Sequence, residues 1–198
     1  MSQRRIGILG GVFDPIHFGH LSMAELARDS FALEQVIFIP AGTPPHKQTV
    51  SVGAFERLKM LKLALAHTPH FSIWEGEVNK NGRAYTVDTV ADLSGEYANA
   101  KFYFIIGADN LVEIPTWHYS DDILNKVTLC VAKRPGYDIT RPDTLENADI
   151  ETFCGPDWGL SSTILRSYLK NGFSCKFLMP DSVLAYIKEN GLYGHSQK

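Results

Sequence analysis

The chain has 198 residues, 44% of them hydrophobic, and a formal net charge of −3. This suits a single α/β domain, residues 1–198, with a sizeable core. It excludes a general electrostatic attraction to nucleic acid or to an anionic membrane, so any anion site must be local. Cys130, Cys154 and Cys175 form no CxxC pair and have no histidine at ligand spacing, which argues against a protein-held metal. Three scattered cysteines with no disulfide framework suit a reducing, cytoplasmic setting. The basic start, Met1 to Arg5, is followed by only Ile6-Gly7-Ile8-Leu9 before two glycines, too short a run for a signal peptide or a membrane span.

Residues 6–9 read as a buried strand that ends in the turn Gly10-Gly11. Leu21, Ala24 and Ala27 have helical spacing and predict a helix over 21–31. A second strand covers 36–39 and stops at Pro40, and the prolines of Thr43-Pro44-Pro45-His46-Lys47 exclude a helix interior there. Residues 55–66 are helical, with Leu58, Met60, Leu61 and Leu65 available for burial. A short strand is expected at 71–74 and a turn at 79–83, and a helix starts at Thr86, which offers itself as a cap. Strands follow at 102–106, ending at Gly107-Ala108-Asp109, and at 127–132, ending at Lys133-Arg134-Pro135-Gly136. Residues 137–150 are polar and read as a surface loop, and helices over 161–170 and 180–190 close the chain, the last stopped by Gly191. Short apolar strands alternating with helices predict a doubly wound, mostly parallel sheet with helices on both faces. In such sheets ligands bind at the carboxyl ends of the strands.

The loop after the first strand reads Gly-Gly-Val-Phe-Asp-Pro-Ile-His-Phe-Gly-His. Gly10 and Gly11 allow close approach of backbone to a ligand, with Phe13 in the same turn. Gly19 and His20 stand where a helix N-terminus favours an anion, and His17 lies three residues before His20, on the same side of a first turn. Far along the chain, Ser161, Ser162 and Thr163 put hydroxyls at another helix start, with Arg166 one turn on. Plain capping competes with phosphate binding here, and the arginine fork tips the balance toward phosphate. The first loop resembles the HxGH signature of the nucleotidyltransferase superfamily, and the second segment resembles the ISSTxxR motif of nicotinate- and nicotinamide-nucleotide adenylyltransferases. That resemblance implies a Rossmann-like fold. It also implies ATP phosphates held between His17 and His20 on one side and Ser161 to Arg166 on the other. Val12 stands where members of the family usually carry Thr or Ser.

Other motifs bear on the acceptor. Pro44-Pro45-His46-Lys47 is either a rigid exposed loop or, by resemblance to nicotinate mononucleotide adenylyltransferases, a source of positive charge for a nucleotide phosphate. Arg57 is either a surface charge or, by the same resemblance, a side chain facing the site. Tyr85-Thr86-Val87-Asp88-Thr89 resembles the family segment that holds the nicotinate carboxylate. Gly107, Asp109 and Trp117 match its GxD…W arrangement, which implies a ribose contact and a flat face for the pyridine ring. Lys133 to Gly136 is either a solvated basic turn or, by resemblance to the family's turn beside adenine, a place where Arg134 stacks or contributes backbone contacts.

The resemblance runs from Gly10 to Arg166, with the motifs in family order. It implies transfer of the adenylyl group of ATP to nicotinate mononucleotide, with Mg²⁺ carried on the ATP phosphates. His17, His20, Lys47 and Arg166 are the expected catalytic groups. A phosphopantetheine acceptor is disfavoured by the PPHK, YTVDT and GxD…W segments. A non-catalytic nucleotide-binding regulator is disfavoured because both histidines and Arg166 are present, and a tRNA synthetase fragment by length and acidity. Nicotinamide mononucleotide as acceptor, and a monomer or a homo-oligomer, stay open.

Overall fold

The computed structural model describes residues 3–43, 50–80, 82–133, 139, 141–156 and 159–194. Its strands are β1 (Arg4–Gly11), β2 (Gln35–Pro40), β3 (Phe71–Ile73), β4 (Ala100–Gly107), β5 (Val127–Lys133) and β6 (Ile150–Cys154). They form one six-stranded sheet in the order β3-β2-β1-β4-β5-β6, and every neighbouring pair is parallel. The helices are α1 (Phe18–Ser30), α2 (Ala54–Leu65), α3 (Gly76–Asn79), α4 (Thr86–Glu96), α5 (Ala108–Leu111), α6 (Ser120–Leu124), α7 (Ser162–Lys170) and α8 (Asp181–Glu189), with 3-10 turns at Ile114–Thr116, Asp143–Leu145 and Leu192–Gly194. Among the described residues no helix is long and apolar enough to cross a membrane.

Strand alternation divides the core between the two faces of the sheet. Leu9, Val36, Phe38, Tyr103, Ile105, Cys130 and Ala132 point to one side, where they meet Ala24 and Ala27 of α1, Met60 and Leu61 of α2, Leu165 of α7 and Val183 of α8. Their chain neighbours Ile6, Ile8, Ile37, Ile39, Phe104, Leu129 and Val131 point to the other, against Val90 and Leu93 of α4 and Ile123 of α6. A sheet buried on both faces explains why these strands read as continuous apolar runs rather than as alternating ones.

Several boundaries depart from expectation, each for a physical reason. α1 begins at Phe18, three residues before the apolar spacing starts, because Gly19 and His20 form its first turn. Thr86 is the first helical residue of α4 and makes no cap; the cap position is Tyr85, with no side-chain bond. The polar stretch 137–150 leads directly into β6, which pairs with β5 from Leu129↔Ile150 to Lys133↔Cys154. Only Phe153 of β6 is buried, so this edge strand carries little apolar signal. The short α3, α5 and α6 are too brief to display a helical period.

Gly7 marks the tightest packing within β1. A Cβ there would lie 2.8 Å from Leu33 Cδ1, 3.1 Å from Val36 Cγ2 and 3.2 Å from Ile105 Cδ1. Gly7→Ala is therefore expected to lower unfolding free energy by roughly 1–3 kcal/mol through overpacking, measured as the shift in urea midpoint at unchanged slope.

Candidate active site

A cleft of about 690 Å³ opens where the carboxyl ends of β1 and β4 lie side by side. This is the point from which the strand order runs outward in both directions, the place where open parallel sheets receive ligands. The first turns of α1, α4 and α7 all contribute to its lining, so several helix N-termini, with their surplus N–H groups, converge on one space.

The loop from β1 to α1 forms the floor. Phe13 takes a left-handed conformation (φ 50°), and the Asp14-Pro15 peptide is cis. His17 is the N-cap residue of α1 in extended backbone and is only 4% exposed. Its ring folds back over Gly19, where a Cβ would meet His17 Cε1 and Nδ1 at 3.0 Å. The rings of His17 and His20 stack at 3.7 Å between centroids with planes 25° apart, and Phe13 meets His20 edge-on at 5.1 Å. Glycine at position 19 thus leaves the space in which the two imidazoles come together.

α7 closes the facing wall and is fastened to that loop. Ser162 Oγ donates to Pro15 O at 3.0 Å, and Arg166 Nη1 donates to Asp14 O at 2.8 Å. Arg166 Nη2 also donates to Thr163 Oγ1 at 3.2 Å. The Ser161 hydroxyl caps the helix by accepting from Ile164 N–H. The serine hydroxyls therefore build the wall, while Arg166 and the first-turn amides of α7 carry its positive character.

Arg57 departs from both readings of the sequence. It is neither a surface charge nor part of the cleft lining: it is 1% exposed and lies beneath the loops. Nη1 donates to Val12 O at 2.7 Å and Nη2 to Gly42 O at 2.9 Å. Burial lowers its pKa from the usual arginine value, and the Asp14 carboxylate opposes that shift. Asp14, 4% exposed, was missed by sequence reasoning. Its Oδ2 accepts from Ser51 N–H and its Oδ1 from the Tyr193 hydroxyl, each at 2.8 Å. An aspartate inside an anion-binding loop was the available signal, because such a group needs dedicated partners.

The opposite end of the cleft is lined by Tyr85, Thr86, Asp109, Trp117, His118 and Glu77. Trp117 sets its ring against Phe104, edge to face at 5.7 Å, and the His118 ring lies 4.5 Å from Tyr85. Gly107 is tight for a similar reason to Gly19, since a Cβ there would fall 2.4 Å from Asp109 Oδ1. Glu77, also unforeseen, accepts from Thr89 Oγ1 at 2.7 Å; burial raises its pKa despite this bond. Gly10, Gly11, Phe13, Gly19 and Gly107 all border the cleft. His46, Lys47 and Arg134 lie outside the described residues.

Removing the Arg57 guanidinium leaves two carbonyls without their donor and Asp14 without one of its two nearby cations. Arg57→Met is expected to cost roughly 2–4 kcal/mol of stability, read from denaturant unfolding. An unchanged midpoint would contradict its structural role.

A family model described as cytidylyltransferase-like matches residues 8–168. A protein of Oceanobacillus iheyensis called "Probable nicotinate-nucleotide adenylyltransferase" is 42% identical over 192 residues, covering 97% of this chain and 98% of its own. One of the same description from Geobacillus thermodenitrificans is 41% identical over 191 residues, covering 96% of this chain and 86% of its own. The solved structure of Plasmodium falciparum nicotinic acid mononucleotide adenylyltransferase complexed with NaAD matches 98% of this chain and 100% of its own with a TM-score of 0.80, and at 17% identity that likeness speaks for the fold. With a Rossmann-like parallel sheet and near full-length relatives of this description, the chain is a nucleotidyltransferase and belongs to the nicotinate-nucleotide adenylyltransferase family.

Proposed function

We propose that this chain transfers the adenylyl group of ATP to nicotinate mononucleotide, giving nicotinate adenine dinucleotide and pyrophosphate for NAD synthesis. The observation that carries this reading is the pair of anion-receiving walls on one cleft: His17 stacked on His20 at the start of α1, and Arg166 one turn into α7. A triphosphate fits between them, and the aromatic end with Tyr85, Trp117 and His118 is left for the pyridine nucleotide.

In this reaction an oxygen of the mononucleotide's 5′-phosphate forms a bond to the α-phosphorus of ATP. The bond from that phosphorus to the bridging oxygen breaks, and its electron pair leaves with pyrophosphate. A phosphate monoester with a second pKa of about 6 is already anionic at neutral pH, so no general base is required. The protein's part is to align the two phosphates and stabilise the charge that moves to the leaving group. His17 and His20 would donate to the ATP phosphates, and Arg166 would neutralise the oxygens across the cleft. Lys47 and His46 are assigned by resemblance to the acceptor phosphate. Ser161, Ser162 and Thr163 would shape the phosphate wall, while Tyr85 and Thr86 present the start of α4 to the nicotinate carboxylate. Asp109 would accept from a ribose hydroxyl, and Arg134 is assigned to the adenine edge.

Magnesium would enter as the ATP complex, held by phosphate oxygens and water. The donor set suits that arrangement: among the described residues no group of three or more His, Cys, Asp or Glu side chains could hold a metal ion, and the cleft offers cations and amides for phosphate. The ion would draw charge from the phosphates as the bond breaks. A reducing cytoplasm suits the three free thiols.

Pyrophosphate release with ATP plus nicotinate mononucleotide, compared with ATP plus nicotinamide mononucleotide, tests the reaction and its acceptor together. No release with either would end the proposal. His20→Ala is expected to lower turnover by roughly 100- to 1,000-fold while the unfolding midpoint stays near wild type; near-normal turnover would remove His20 from the chemistry. Trp117→Ala is expected to raise KM for the mononucleotide by roughly 5- to 150-fold, as for loss of a stacking face, with a smaller effect on KM for ATP. Equal effects on both substrates would make Trp117 a packing residue.

A further inference from the structure

The last turn of the described chain reaches into the floor of the active site. α8 packs against α2, with Tyr186 OH donating to Glu56 Oε2 at 2.6 Å and Ser182 Oγ donating to Leu63 O at 3.2 Å. Gly191 (φ 59°) then breaks the helix, and Tyr193 takes a left-handed conformation (φ 59°, ψ 23°) within the closing 3-10 turn. Such backbone is unfavourable for an L-residue other than glycine, and it persists where surrounding contacts hold it. Here it carries the Tyr193 hydroxyl to Asp14 Oδ1 (2.8 Å), with Met60 Sδ 4.0 Å from the same oxygen.

Asp14 is a junction. One carboxylate oxygen holds Tyr193 and the other holds Ser51 N–H. Its backbone oxygen holds Arg166 Nη1, and Arg166 Nη1 also stands 4.0 Å from Asp14 Oδ2. Asp14 lies directly between the left-handed Phe13 and Pro15, whose carbonyl holds Ser162. Its position therefore governs both anion walls. Burial and the neighbouring carboxylate push the Tyr193 hydroxyl's pKa up from the ordinary phenol value, so it remains a donor across the working pH range.

We propose that Tyr193 is a positioning residue for adenylyl transfer: by donating to Asp14 it fixes the Asp14-Pro15 segment, and through it the placement of Arg166 and the phosphate loop. The inference rests on the reaction proposed above and adds a residue 179 positions from Asp14. It makes correct geometry at the phosphates depend on docking of the C-terminal turn.

The test is steady-state kinetics of the full chain with ATP and nicotinate mononucleotide, normalised to folded protein by circular dichroism. Tyr193→Phe keeps the ring and removes the donor. It is expected to lower kcat roughly tenfold, the scale of one hydrogen bond to a charged group, with KM for the mononucleotide changed by less than about twofold. In an Asp14→Ala background, which removes the acceptor, the same substitution should cost no further activity, because the path through Asp14 is already lost. Unchanged kcat per folded molecule in Tyr193→Phe, or full additivity with Asp14→Ala, would overturn the proposal. Failure of Tyr193→Phe to fold would overturn it as well, by making the hydroxyl a general requirement of the fold. Wild-type protein that releases no pyrophosphate would defeat the reaction itself, an outcome distinct from an active wild type with an unaffected variant.

Discussion

Asp14 places a buried negative charge beneath the loop that brings His17 and His20 to the cleft. A carboxylate out of water is costly unless charges and donors compensate it. Compensation comes from four separate parts of the chain: Arg57 of α2 from below, Ser51 N–H from the approach to α2, Arg166 of α7, and Tyr193 at the C-terminal turn. Each of these groups also fastens its own segment to the phosphate loop. Arg57 spans Val12 O and Gly42 O, so the loops after β1 and β2 share one buried cation. A buried charge that cannot remain unpaired thus ties the walls of the cleft together.

The sheet supplies the geometry within which that tie operates. With all strands parallel, their carboxyl ends lie along one edge, and the helices that follow begin there. α1, α4 and α7 each present a first turn to the cleft. Their surplus amides favour anions without any net positive charge on the protein, which reconciles a chain of net charge −3 with polyanionic substrates. Glycines 19 and 107 are required at this edge because His17 and Asp109 fold back over them. The two histidines meet as stacked rings only because that space is empty of a Cβ.

Packing between distant segments also divides labour within motifs that look uniform. Ser161, Ser162 and Thr163 read as three equivalent hydroxyls, yet one caps α7, one holds Pro15 O and one accepts from Arg166. Thr86, expected as the cap of α4, is instead its first helical residue, and Tyr85 takes the cap position. At the other end of the cleft, Glu77 accepts from Thr89, and its backbone packs against Gly42. It couples the start of α4 to the loop after β2, the same loop that Arg57 holds from the other side.

Local signals determined much of this molecule. Apolar runs broken by glycine or proline announced β1, β2, β4 and β5, since a strand buried on both faces needs nothing but apolar residues. The HxGH and SSTILR segments pointed to two helix starts, and both line the same cleft, because a helix start carries its chemistry within one turn. β6 escaped notice because a single buried Phe153 cannot mark an edge strand. Arg57, Glu77 and Asp14 escaped because an isolated charged residue looks alike whether it is solvated or buried. Only the tertiary structure decided those cases: Arg57 finds its partners 15 and 45 residues away, and Asp14 finds its own 37, 152 and 179 residues away. Periodicity and capping act over a few residues of chain, whereas compensation of a buried charge depends on which distant groups the fold brings within hydrogen-bonding reach.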